Sequence, residues 1–450
     1  MTPAARLSAA IEVFADIEAR RRPAAQALKD WGLAHRFAGS GDRAALAGLV
    51  YDALRRKASA AWIMGADTPR AALIGMLKRE RGLDAETIGR LCDGGRFAPA
   101  PLSEDETKRL QDATLDGAPP HVLGDYPEWL DANLAATFGE ERAEEGAALS
   151  SRAPLDLRVN TLKAERDEAA AEIAEWSPQE TRWSPAGLRI SVAPDQKSPA
   201  IHAEPAYLKG HIEIQDEGSQ IAALLAAAQP GEQVIDLCAG AGGKTLALAA
   251  AMENHGQLYA TDTDKRRLAP IHARLERAGV RNVQVRTPRS SSPSPASGGG
   301  SGRGKTAQDV LADLAGKADL VLIDAPCTGT GAWRRNPDAK WRVRPGALAE
   351  RLKEQIEALD RAVALTNPGG RIAYVTCSVL DEENGAQVRA FLDRHPGFAA
   401  VPAPDVANAL GERAFLFRRA ALMLPEGVLM TPRRTDTDGF FVSLLRRASG

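Results

Sequence analysis

The chain's hydrophobic and polar positions fall into three rhythms. Residues 1–125 carry apolar side chains at helical spacing, as in Ala44 to Arg56, where Leu46, Leu49, Val50, Ala53 and Leu54 share a face and cations close the segment. The same period recurs from Ala5 to Arg22 and from Ala71 to Arg81, with breaks near Gly94–Pro101 and Gly117–Pro120. From 126 to 205 the pattern is mixed. Leu155 to Asn160 and Gly187 to Val192 alternate like half-buried strands around a helical stretch from Ala164 to Trp176. From 206 to 450, short apolar runs alternate with helical segments, the signature of a parallel sheet built from βαβ units. Its strands are expected at Val234–Leu237, Gln257–Thr261, Val283–Val285, Leu320–Ile323 and Ile372–Val375, with a final antiparallel strand at Gly439–Leu445. Residues 288–305 are Ser, Gly and Pro with scattered cations; too little apolar content remains to fold, so a flexible surface loop is expected there.

Composition narrows the class. Of 450 residues, 44% are hydrophobic and 26% charged, and the net charge is −2, so any anion-binding surface must be local. Cys92, Cys238, Cys327 and Cys377 make neither a disulfide framework nor a metal-ligand spacing, which points to a reduced, cytoplasmic setting without a bound metal. The apolar runs are too short to span a bilayer, and the N-terminal segment carries Glu12, Asp16 and Glu18, unlike a signal peptide. No membrane is expected, and nothing calls for more than a monomer.

Candidate chemistry gathers where strands end. Asp324-Ala325-Pro326-Cys327-Thr328-Gly329-Thr330-Gly331 follows one strand-like run and Thr376-Cys377-Ser378 follows another. Ligands of open α/β sheets bind beyond the carboxyl ends of strands, so the two thiols could face one substrate, one as nucleophile and one as base or leaving-group partner. For a single cysteine, burial as a structural thiol is an equal alternative. The turn Cys238-Ala239-Gly240-Ala241-Gly242-Gly243-Lys244-Thr245 after Asp236 is neither a P-loop, which needs glycine at Cys238, nor a dinucleotide fingerprint, which needs glycine at Thr245. It would let backbone approach a ligand, and Asp262 closes the next strand where a carboxylate can bind ribose hydroxyls. A nucleoside cofactor without pyrophosphate fits, and S-adenosyl-L-methionine is the candidate. Trp333, Arg334, Arg335, Lys340, Trp341 and Arg342 interleave cations with indoles, a pattern suited to phosphates and stacked bases, although such runs are more often solvated faces.

Together, Asp324–Gly331 with its Arg-Arg-Asn-Pro-Asp-Ala-Lys-Trp tail, Thr376–Ser378, the 236–245 turn and Asp438-Gly439-Phe440-Phe441 resemble the RNA 5-methylcytosine methyltransferases of the Sun/Nop type. Gln215–Gln220 resembles that family's entry segment, and Arg158–Thr161 its upstream motif. Asp42–Ala44 through Leu54–Arg56 resembles the NusB-type domain of the bacterial ribosomal small-subunit branch. The resemblance implies an all-α, NusB-like RNA-binding domain over 1–125, a small α/β connector over 126–205, and a Rossmann-like S-adenosylmethionine-dependent methyltransferase domain over 206–450. It implies Cys377 as the nucleophile at C6 of cytosine and Cys327 assisting product release. Asp324 would activate the ring or lie near the cofactor. Lys244 would support Asp324, residues 238–244 would wrap the cofactor, and Asp262 would bind ribose. The target base must be unstacked to be reached.

Two departures stand out. The turn lacks the proline the family usually places before its paired glycines. The third strand runs from Val285 into Arg286-Thr287-Pro288 where an acidic residue usually sits near the adenine, so no residue is assigned to the adenine. Three other readings compete with ribosomal RNA cytosine methylation. A transfer RNA substrate keeps the chemistry, and a DNA cytosine methyltransferase would use Cys327 as nucleophile. A non-catalytic RNA-binding assembly protein would have kept only the fold.

Overall fold

The computed structural model describes residues 1–192, 199–287 and 310–449; the expected loop at 288–305 lies outside them. The N-terminal region is a bundle of α1 (Pro3–Arg20), α2 (Ala24–Ala34), α3 (Ser40–Arg55), α4 (Lys57–Met64), α5 (Pro69–Arg79), α6 (Ala85–Leu91) and α7 (Glu104–Asp112). Local chemistry sets their starts. Thr2 and Thr68 each cap a helix that opens on proline, accepting the amides of Ala5 and Ala71, and Ser103 with Glu106 forms a reciprocal capping box. Leu7, Ala10, Val13, Phe14 and Ile17 line the buried stripe of α1, and Leu46, Val50, Ala53 and Leu54 that of α3.

Among the described residues, thirteen strands follow in two sheets. The small sheet has the order β2 (Gln179–Glu180), β3 (Gly187–Ile190), β1 (Leu155–Val159), β4 (Ile212–Ile214), with the three registered pairs antiparallel. Its edge strand β4 comes from beyond residue 205, so the connector's sheet reaches into the chain assigned by sequence to the catalytic part. The helix expected over Ala164–Trp176 is a shorter α-helix, Arg166–Glu172, followed by a 3-10 turn at Ala174–Trp176.

The large sheet has nine strands. Along its path lie β11 (Leu422–Leu424), β12 (Gly427–Met430), β13 (Phe440–Arg447), β9 (Thr366–Thr376), β8 (Ala318–Asp324), β5 (Gln233–Asp236), β6 (Gln257–Ala260) and β7 (Val283–Val285), while β10 (Phe398–Ala400) pairs with β13. The stretch from β9 through β8, β5 and β6 to β7 is parallel, and β13 lies antiparallel to β9. Strand alternation divides the core: Leu320, Leu322, Ala373 and Val375 enter one apolar layer, and Val321, Ile323, Ile372 and Tyr374 the other. Burial on both faces is why β8 reads as an unbroken apolar run. The chain leaves β5 toward β6 and β7 but returns to its other side as β8 and β9, so the switch point of this Rossmann-like sheet falls between β5 and β8.

Candidate active site

The switch point collects the residues singled out in sequence. Asp324 ends β8 beside Val375 of β9, so Cys327 and Cys377 leave adjacent strand ends. Their sulfurs stand 3.3 Å apart. The Cys327 thiol is held well above its ordinary range, first by its hydrogen bond with Cys377 and then by burial. The two loops are laced together: Gly331 donates its amide to the Cys377 carbonyl (2.9 Å), and Val379 donates to Thr330 Oγ1 (2.9 Å). Beside them Lys244 Nζ contacts Asp324 Oδ2 at 2.8 Å and lies 5.0 Å above the Phe440 ring.

The glycine turn after β5 has the shape a close-lying ligand requires. Gly240 and Gly242 have φ of +50° and +86°, and Gly242 has no room for a Cβ against Ile271. Asp262 is buried, its carboxylate accepting the amides of Gly240 (2.9 Å) and Asp264 (2.9 Å). Leu237, Cys238, Asp262, Thr263 and Pro326 line a 430 Å³ cavity over these strand ends. Beneath the turn, Asp236 is buried; Thr245 Oγ1 donates to Oδ2 at 2.6 Å while Oδ1 has no partner. Burial raises its pKa to about 7. Burial likewise raises the Cys238 thiol. A cavity, a turn of glycines and alanines and a carboxylate at the second strand's end suit a nucleoside cofactor. S-adenosylmethionine, when bound, supplies an electrophilic methyl group.

Several site residues escaped sequence reasoning. Glu383 is buried behind the Cys327 loop, where it accepts the Thr328 amide (2.8 Å) and the Gln355 side chain (3.1 Å). Gln355 also donates to the Pro326 carbonyl (2.9 Å). Asn384 accepts from Thr376 Oγ1 and donates to the Ser378 carbonyl, fixing the Cys377 loop. An Asp-Glu-Glu-Asn run shortly after a strand end was the available signal: acids there need buried donors or water, and here they found donors.

The expected RNA-facing run is corrected by the structure. Trp333, Arg334 and Lys340 are buried, and the charges are spent inside the protein. Arg334 and Arg335 clasp Asp438 (both 2.5 Å), and Arg335 also holds Asp216 (2.6 Å), joining the entry segment to the start of β13. Lys340 Nζ donates to the carbonyls of Arg55 (3.0 Å) and Asp125 (2.6 Å) and to Ser150 Oγ (2.8 Å). The Trp341 indole donates to the Leu54 carbonyl (2.7 Å). Carboxylates and carbonyls from distant segments satisfy these cations, a complementarity a local charge pattern does not reveal. Trp341 and Arg342 of this run line a cleft surface. Among the described residues no cluster could hold a metal, and no helix is long and apolar enough to cross a membrane.

The sheet, its switch-point cavity and the residues around it define a Rossmann-like, S-adenosylmethionine-dependent methyltransferase. The model of the 16S rRNA methyltransferase RsmB/F family matches residues 222–446, half of the chain, and a ferredoxin-like domain model of the same proteins matches 126–195. The chain belongs to the RsmB/F family of rRNA methyltransferases. It is 31% identical over 328 residues to a probable ribosomal RNA small subunit methyltransferase B of Synechocystis, covering 72% of this chain and 67% of that one. Against ribosomal RNA small subunit methyltransferase B of Sodalis glossinidius the identity is 33% over 328 residues, 70% of this chain and 64% of the relative, so the match spans about two thirds of these relatives' length. A methyltransferase homolog from Pyrococcus horikoshii superposes with a TM-score of 0.55 at 25% identity, covering 73% of this chain and 97% of its own.

Proposed function

We propose that this protein transfers a methyl group from S-adenosylmethionine to C5 of a cytosine in small-subunit ribosomal RNA, through a covalent bond from Cys377 to C6. The observation that carries the reading is the pair of thiols 3.3 Å apart beside the Lys244–Asp324 contact at the switch point. C5 of cytosine is a poor nucleophile until C6 is saturated, so thiolate addition is the chemically required first step. A thiol at Cys327 held in its protonated form can hydrogen-bond the Cys377 sulfur across the 3.3 Å that separates them. Asp324, braced by Lys244, is set to hydrogen-bond the ring. After C5 accepts the methyl group and loses its proton, the Cys377–C6 bond breaks, with Cys327 assisting release. Residues 238–244 and Asp262 are assigned to the cofactor. The helical domain over 1–125 is assigned a NusB-like RNA-binding role, and the reaction to the cytoplasm, where ribosomes are assembled.

The test compares Cys377→Ala with Cys327→Ala, and bisulfite-sequences total RNA from cells with and without the gene. The reading expects Cys377→Ala to abolish turnover and Cys327→Ala to accumulate a covalent protein–RNA adduct, with one small-subunit cytosine losing its mark. An adduct trapped in the Cys377 variant would reverse the assigned roles. Loss of the mark in transfer RNA alone would keep the chemistry and overturn the substrate, and no change at any cytosine would favour a non-catalytic RNA-binding protein.

A further inference from the structure

A 520 Å³ cleft lies along the seam between the helical bundle and the catalytic domain. Its walls carry Arg21 and Lys57 from the bundle and Arg342 and Arg344 from the segment that follows the Cys327 loop. Two carboxylates share the cleft, but both are engaged within it. Glu18 contacts Lys57 (2.5 Å), and Asp338 holds Arg342 (3.0 Å) and the Ala24 amide (3.3 Å). Arg21 and Arg344 are exposed and have no ion-pair partner among the described residues, one on each domain. The cleft is also lined by the indoles of Trp129 and Trp341. In a molecule of net charge −2, two exposed guanidiniums without an ion-pair partner among the described residues, lining one cleft together with two indoles, are a local exception.

We propose that this seam is a second RNA subsite that takes a nucleotide of a single strand, its phosphate held by Arg21 and Arg344 and its base against the Trp129 and Trp341 indoles. The proposal rests on the ribosomal RNA reading above and deepens it by naming where a strand leaving the active site is gripped. Single-stranded RNA fits better than an acidic peptide, because every base offers a π-face to an indole while its phosphate meets the guanidiniums. Duplex RNA is recognised through its shape and backbone and has no free base to offer an indole. Docking across the seam would also tie RNA binding to the relative placement of the two domains.

The test uses the full chain and a fluorescently labelled ten-nucleotide single-stranded RNA, followed by anisotropy over a range of salt, with S-adenosylmethionine affinity measured in parallel. Arg21→Ala and Arg344→Ala are each expected to weaken RNA binding by about fivefold and lower the salt slope by about 0.7 per lost phosphate contact. Trp129→Ala is expected to weaken it about tenfold, and cofactor affinity should stay unchanged throughout. Unchanged affinity and salt slope in the Arg21/Arg344 double variant would overturn the proposal. So would duplex RNA binding as tightly as the single strand. Wild-type protein that binds the cofactor but no single-stranded RNA also rules out the subsite while leaving the methyltransferase reading intact. A wild type that binds neither removes the reading beneath it as well.

Discussion

At the scale of residues, the site is governed by which protons burial and neighbours hold in place. Asp236 shows this most sharply, because it touches neither thiol yet lies under the glycine turn. Its carboxyl is fully enclosed, with Thr245 as its one side-chain donor, and its pKa moves from 3.8 to about 7. The unfolded chain releases this proton near pH 4, while the native protein holds it until about pH 7. Between those values the native state binds more protons than the unfolded state, so stability falls as pH rises across that window. The stabilising share is complete below the unfolded value and is lost as pH passes about 7. Asp236→Asn keeps an acceptor for Thr245 and removes the titration. Urea unfolding at pH 5 and pH 8 should show the wild type losing more stability than the variant, by at most about 3 kcal/mol. Parallel losses in both proteins would mean that Asp236 is ionised in the native state. The polar groups behind the thiols follow the same logic: Glu383 is tolerable in the core because Thr328 and Gln355 bring it donors.

At the scale of elements, the two cysteine loops work as one unit because the backbone lets them touch. The Gly331 carbonyl accepts the Gly439 amide (2.9 Å), and a Cβ at Gly331 would sit 2.1 Å from the Gly439 carbonyl oxygen. Gly331→Ala must therefore push the Cys327 loop away from the entry to β13, and with it the thiol that faces Cys377. A displacement near 1 Å at a reacting group costs on the order of 100-fold in rate, so turnover should fall by about that factor while S-adenosylmethionine affinity holds. Equal turnover in the variant would show that the loop tolerates the shift. Legibility in the sequence follows this hierarchy. β7 was expected at its observed bounds and β8 to within three residues, because an apolar run buried on both faces is a strong local signal. β4, β10, β11 and β12 were not anticipated: each has three or four residues and is defined by its partner strand more than by its own pattern. The motif residues meet in pairs, Cys327 with Cys377 and Lys244 with Asp324, because neighbouring parallel strands end at the same edge of the sheet. The arginine and lysine run was misjudged for the opposite reason. Its partners Asp216, Asp438, Arg55 and Asp125 lie more than 100 residues away, and no local window contains them.

At the scale of the whole molecule, that same run fastens the helical bundle to the catalytic domain. Lys340 is fully buried and satisfies two backbone carbonyls and the Ser150 hydroxyl, while Arg55 Nη2 donates to the Arg334 carbonyl (3.1 Å) and Trp341 to that of Leu54. Replacing a buried cation by an apolar side chain can be neutral when its partner charge goes too. Here the acceptors would remain: the carbonyls of Arg55 and Asp125 would be buried without their donor, and the Asp125 carboxylate would keep only Ser59 and Arg56. Lys340→Met should therefore destabilise the seam by about 3 kcal/mol, and Trp341→Phe, which keeps the ring and loses one hydrogen bond, by about 1 kcal/mol. Because the bundle and the large sheet each have their own apolar core, the loss should fall on their junction. Calorimetry of Lys340→Met should resolve a low-temperature transition of the bundle ahead of a catalytic-domain transition that S-adenosylmethionine still raises. A single transition at the wild-type temperature would mean that the two cores are coupled by something other than this lysine. If the bundle does melt early, RNA affinity should fall with it while cofactor affinity holds, because the cleft at the seam needs both walls and the switch-point cavity needs only one domain.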